Sequence, residues 1–249
     1  MAIIQLILAL IILGFLYIRM IRREILEPIS KAQAVVPVVL GAVSVFVSFV
    51  LFMLLGALLV QLGISSSRLP AIIHSFILSL RIAGIPEELA KLAFILLTLL
   101  IFRSRIRNVY EYILAGAGVG FGFTLLEEFF YGSEGPIGFL RLVTIAAHMI
   151  FGIIMAKHLG LAAYSKVSGV GNSIKEYLLA FFVPVLIHTL YDAFSANNQL
   201  LKGTEDEQAV GIILAIAATI ILFIAQIIVL RNLKRDANKY CEMIIVKLS

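Results

Sequence analysis

Eight residues of this chain carry chemistry in places where lipid is the expected neighbour: Glu87, Glu88, Lys91, Glu127, Glu128, His148, His188 and Asp192 all lie in or at the ends of long apolar stretches. On insertion scales, a charged Asp, Lys or Arg at the centre of a spanning helix costs roughly 2.5–3.5 kcal/mol, so a cluster needs a compensating reason. His188 and Asp192 are spaced i, i+4 and share one helical face, where the carboxylate can orient the imidazole. Glu87 and Glu88 sit about 100° apart around the axis and cannot point the same way. Lys91 is i+4 from Glu87 and i+3 from Glu88, so it can neutralise one and leave the other for chemistry. Glu127 and Glu128 pose the same choice, with Tyr131 on the Glu127 face. Carboxylates and imidazoles in one layer suit water activation. A glutamate held out of water can take a proton from water and return it to a leaving amine. A histidine–carboxylate pair can polarise a carbonyl or stabilise an oxyanion. Two histidines plus a carboxylate can instead hold a divalent metal with a position left for water. There is no HExxH, and no Ser or Cys stands in a nucleophile motif beside these residues.

The elements that must position them are membrane helices. Of 249 residues 61% are hydrophobic and 14% charged, with a mean hydropathy of +1.07. Soluble domains run near 45–50% apolar and 25% charged, so an ordinary water-soluble domain is excluded. Apolar runs at about 2–17, 35–62, 85–102, 109–131, 137–157, 177–195 and 208–230 each approach the roughly 20 residues a span needs. The expectation is an all-α polytopic transmembrane helix bundle of about seven spans, forming one integral-membrane domain over 1–249. A shorter stretch, 70–83, carries His74 and Arg81 and suits an interfacial or re-entrant helix. The first run lacks a positive n-region and a small-residue cleavage site, and reads as a retained span. Gly116, Gly118, Gly120 and Gly122 give close helix–helix approach rather than a nucleotide loop, because no strand precedes them. Cys241 is the single cysteine and reads as a reduced thiol; His74 and His158 read as interfacial.

Charge sets the orientation. Fifteen of the twenty lysines and arginines fall in alternate connections, which hold among others Arg19, Arg22, Arg23, Arg103, Arg105, Arg107, Arg231 and Lys234. The formal charge of +5 is thus explained by membrane topology, without nucleic acid. The positive-inside rule places the N-terminus outside and the C-terminus in the cytoplasm, in a multi-pass protein of the cell membrane. At 1.5 Å per residue, the acidic and imidazole groups then fall about 3–17 Å from the outer boundary on four helices of alternating direction.

These residues resemble the motifs of the PrsW family of intramembrane proteases, related to the CAAX-protease and bacteriocin-processing (ABI/CPBP) superfamily. Pro86-Glu87-Glu88-Leu89-Ala90-Lys91 is similar to its EExxK motif, and Gly122 to Tyr131 to its GFAxxEN..Y segment. His148 with Phe151-Gly152 resembles its central histidine motif, and His188-Thr189-Leu190-Tyr191-Asp192 its HxLYN motif. Glu128 and Asp192 stand where the family has asparagine, which keeps an acceptor but removes an amide donor. The resemblance implies an intramembrane endopeptidase that cuts membrane-bound protein substrates, typically anti-sigma factors, near the extracytoplasmic face. On this reading Glu88 is the base and Glu87 pairs with Lys91, or the two exchange roles. Glu127, His148 and His188 position water or bind a metal, and Asp192 orients His188. Zinc is the expected metal if the mechanism is metal-dependent; a glutamic-type mechanism needs none. Two other classes fit buried ionisable groups: a cation- or proton-coupled transporter, and a non-catalytic membrane scaffold.

Overall fold

The computed structural model describes residues 2–131 and 142–245, and among these every regular element is helical. The helices are α1 (Ala2–Ile21), α2 (Lys31–Gln61), α3 (Ala71–Ser79), α4 (Ile85–Ile101), α5 (Val109–Tyr131), α6 (Ala147–Ser168), α7 (Ser173–Phe194) and α8 (Glu205–Glu242). Six of them, α1, α2, α5, α6, α7 and α8, are long and apolar enough to cross a membrane. Their starts obey local rules. Ser30 and Gln33 form a capping box at α2, Thr204 and Glu207 another at α8, and Asn172 caps α7 through the Lys175 N–H. Gly169, at φ 72°, ends α6 in a left-handed turn.

The expected separate helix over 70–83 is instead the first part of a longer rod. α3 runs into a π-helical turn, Leu80–Gly84, which runs directly into α4. The Ile85 N–H donates to the Leu80 carbonyl, five residues back. The physical reason is Pro86, which lacks an N–H and whose ring would crowd the carbonyl four residues earlier; one wider turn relieves both. The fifth predicted span also shifts. Its first residues, 137–141, lie outside the described residues, and α6 starts only at Ala147 and continues to Ser168. His148 is therefore the second residue of its helix rather than eleven residues below the end.

Buried α5 and α6 form the centre, and small residues let them meet. A Cβ on Gly116 or Gly120 would run into the α6 backbone at Gly152 and His148, and one on Gly152 into the α5 backbone at Gly116. On the other face of α5, a Cβ on Gly122 would meet the α2 backbone at Val38. The glycine run is thus a two-sided seam. α1, α2, α4, α7 and α8 surround it and turn rows of Ile, Leu, Val and Phe outward, as lipid-facing helices do. The basic connections gather at one end of the bundle. There Arg23 Nη1 donates to the Lys234 carbonyl at 3.0 Å, Arg107 pairs with Glu27 at 3.3 Å, and an antiparallel bridge joins Asn108 to Ile244. The first turns of α4 and α6 and the last turns of α5 and α7 meet away from that end. They carry the acidic and imidazole residues.

Candidate active site

The first two turns of α4 hold the centre together. Lys91 Nζ donates to Glu88 Oε1 at 2.7 Å and to His148 Nδ1 at 2.8 Å, and lies 3.5 Å from Glu87 Oε2. Its ammonium also sits 4.0 Å from the centre of the Phe123 ring. Glu88 and Lys91 have fully buried side chains, whereas Glu87 keeps 18% of its side-chain surface exposed. The closer partner of Lys91 is thus Glu88, the exchange of the expected pairing. Glu88 Oε1 also accepts from His188 Nδ1 at 2.7 Å. An uncompensated ion here would cost several kcal/mol, so the shared Lys91–Glu88–His188 contacts are what allow the burial.

The ring nitrogens of the two histidines are used differently. Lys91 has only donors, so His148 Nδ1 accepts from it; His148 Nε2 then carries the proton and faces Glu127 Oε2 at 2.6 Å. In His188 the Nδ1–H is given to Glu88, and Nε2 lies 3.9 Å from Glu87 Oε2 and 3.5 Å from Asp192 Oδ2. The His188–Asp192 face-sharing expected from the i, i+4 spacing is present. The two rings lie 5.2 Å apart, edge to face, and Phe151 packs at 5.2 Å from His188.

Two cavities reach this cluster. One of about 130 Å³ is lined by Glu127, Glu128, Thr144, His148, His188 and Asp192, with Tyr191 and Ser195 beside them. It has room for several waters with polar partners. The other, about 120 Å³, lies between α2, α4 and α5 and is lined by Val45, Phe49, Phe52, Ile82, Glu87 and Glu127. Glu127 lines both. Glu88 lines neither, so the carboxylate expected as base is the one shut away from water. Glu128 is nearly buried at the first cavity. The expected side-chain position of Tyr131 lies outside the described residues.

Glu87, His148 and His188 each offer a donor atom, and these atoms lie within 4.8 Å of one another. Two imidazoles and a carboxylate are a donor set suited to a divalent transition ion, and they fit one in type and spacing. This possible metal site takes Glu87 where Glu127 was expected; Glu127 instead stands behind His148. Phe123 and Thr144 also belong to the site, although the sequence motifs do not single them out. Phe123 lies four residues before Glu127 on one face of α5, whereas Thr144 lies in the turn before α6, where no helical spacing points to it.

A family model for PrsW family intramembrane metalloproteases matches residues 30–226. Three curated relatives named Protease PrsW are similar. The one from Bacillus subtilis is 33% identical over 121 residues, 47% of this chain and 54% of that protein. The one from Halalkalibacterium halodurans is 34% identical over 88 residues (34% of this chain, 39% of that protein), and the one from Oceanobacillus iheyensis 33% over 99 (39% and 41%). The matched stretches therefore span between about two fifths and about half of those relatives. No solved structure matches the chain. With the family model covering most of the sequence, every motif helix inside it and six membrane-length helices among the described residues, this multi-pass membrane protein belongs to the PrsW family of intramembrane metalloproteases.

Proposed function

We propose that the chain is an endopeptidase that hydrolyses a peptide bond of membrane-bound protein substrates at the Glu87–His148–His188 cluster. The observation that carries this reading is the convergence of α4, α6 and α7 on one carboxylate and two imidazoles beside a polar cavity. Glu87, His148 and His188 would hold a divalent ion, zinc by their donor types, which when bound supplies Lewis-acid polarisation of a carbonyl or of water. Glu127, which faces both cavities, accepts a proton from water at a carboxylate oxygen as the water oxygen bonds to the peptide carbon. The same proton passes to the departing amine nitrogen as the C–N bond breaks. Glu88 holds the His188 Nδ1–H, which turns His188 Nε2 toward Glu87 with Asp192 beside it, and Glu127 holds the His148 Nε2–H, so that His148 Nδ1 would exchange its Lys91 contact for the ion. The substrates we infer are single-span proteins of the anti-sigma-factor kind, cut near the extracytoplasmic face, because the cluster lies away from the basic end that the positive-inside rule assigns to the cytoplasm.

The test is co-reconstitution of the purified chain with a panel of single-span membrane proteins, with products mapped by mass spectrometry. Cleavage within or just outside the span, lost in His188→Ala, is the expected result. Vesicle uptake of a cation that is lost in the same variant, with no product from any substrate, would contradict it.

A further inference from the structure

A further cavity lies away from the Glu87–His148–His188 cluster. It has a volume of about 300 Å³, lies at the basic end between α1 and α8, and is lined by Arg19, Arg23, Arg231 and Lys234 together with Leu16 and Ile227. That volume is at the lower end of the range for small-ligand sites. No carboxylate lines it, and among the described residues none of the four cations is paired with one. The carboxylates nearby in sequence are engaged elsewhere: Glu24 accepts from Asn108, Glu27 pairs with Arg107 and Asp236 with Arg235. Arg23 spends one N–H on the Lys234 carbonyl, which fixes the α1 end to α8 and holds the cations on one rim.

The layering of the cavity matters as much as its charge. The apolar run of α1 ends at Ile18 and that of α8 at Leu230, each followed directly by an arginine. Arg19 and Arg231 are thus at the level where hydrocarbon gives way to headgroups, and Leu16 and Ile227 lie about one turn deeper. A concave site with cations above and aliphatic walls below matches an anionic phospholipid. Its phosphate meets the cations, and its acyl chains leave into the bilayer past Leu16 and Ile227. A free phosphate would use only the upper half.

We propose that this cavity binds the headgroup of an anionic phospholipid and so clamps α1 to the cytoplasm-proximal half of α8. The proposal is independent of the hydrolytic reading. Cys241, the single cysteine and fully buried, allows the test on the full chain, because a thiol-reactive dye reports its exposure on unfolding. Thermal unfolding in detergent is followed with dioleoylphosphatidylglycerol, dioleoylphosphatidylcholine or inorganic phosphate added. Phosphatidylglycerol is expected to raise the midpoint saturably and the other two are not. The triple variant Arg19→Gln/Arg231→Gln/Lys234→Gln should lose the shift, while Arg103→Gln/Arg105→Gln, exposed at the same end but outside the cavity, keeps it. Should the triple variant not fold, Arg231→Gln alone should raise the half-saturating concentration about five-fold, as expected for one basic residue at an anionic surface. An equal shift with phosphatidylcholine or inorganic phosphate, or an undiminished one in the cavity variants, would overturn the proposal.

Discussion

At the scale of single residues, the site is a division of labour among carboxylates that sequence spacing alone leaves open. Glu87 and Glu88 are neighbours, yet one faces a cavity and the other is sealed against Lys91 and His188. With proton transfer at Glu127, Glu127→Gln should lower turnover by about 10²–10⁴-fold and leave any bound metal in place. Parallel activity and elemental measurements check this, and loss of metal from that variant would move Glu127 into the ligand set. Lys91 has a structural role that can be separated from catalysis. Lys91→Met leaves Glu88 buried beside a histidine without its ammonium partner and should cost about 3–5 kcal/mol of stability. The double variant Glu88→Gln/Lys91→Met should recover part of that loss in thermal unfolding. An additive double variant would mean that the pair is not coupled.

At the scale of elements, glycine placement decides whether the site can assemble. Gly120 meets the His148 carbonyl, so Gly120→Ala must push the start of α6 away and displace the histidine itself. A cost of about 1–3 kcal/mol, with loss of cleavage, is expected. Gly56→Ala, which meets no atom within 4 Å, should leave folding and cleavage intact. Comparable damage from both would show that the seam is not the reason for the glycines. Much of this organisation was legible in the sequence. Ionisable residues in apolar runs stand out on energetic grounds, i, i+4 spacing put His188 and Asp192 on one face, and the glycine run announced a close helix contact. What was not legible depended on long-range packing. Nothing in the local pattern of 70–102 says that Pro86 is absorbed by a π turn rather than ending a helix. The apolar run before His148 looks like span but is followed by a turn, with the Ala147 N–H donating to the Thr144 carbonyl. Which of two adjacent glutamates meets Lys91 depends on where α6 and α7 arrive, and sequence spacing allows either.

At the scale of the whole molecule, the bundle separates two chemistries: a basic end fastened by Arg23, Arg107 and the Asn108–Ile244 bridge, and a cluster of acids and imidazoles away from it. The positive-inside rule then predicts that a reporter inserted between Lys202 and Gly203 is extracytoplasmic and one fused after Glu242 is cytoplasmic. The reverse pattern would place the site on the wrong side for extracytoplasmic cleavage. Glu87, His148 and His188 are assigned as one metal-holding centre, and elemental analysis of the detergent-purified chain reads its occupancy. Close to one zinc per chain is expected in the wild type, lost in Glu87→Gln, His148→Ala and His188→Ala while all three remain folded. A folded wild type that cleaves substrate with no stoichiometric metal would contradict it.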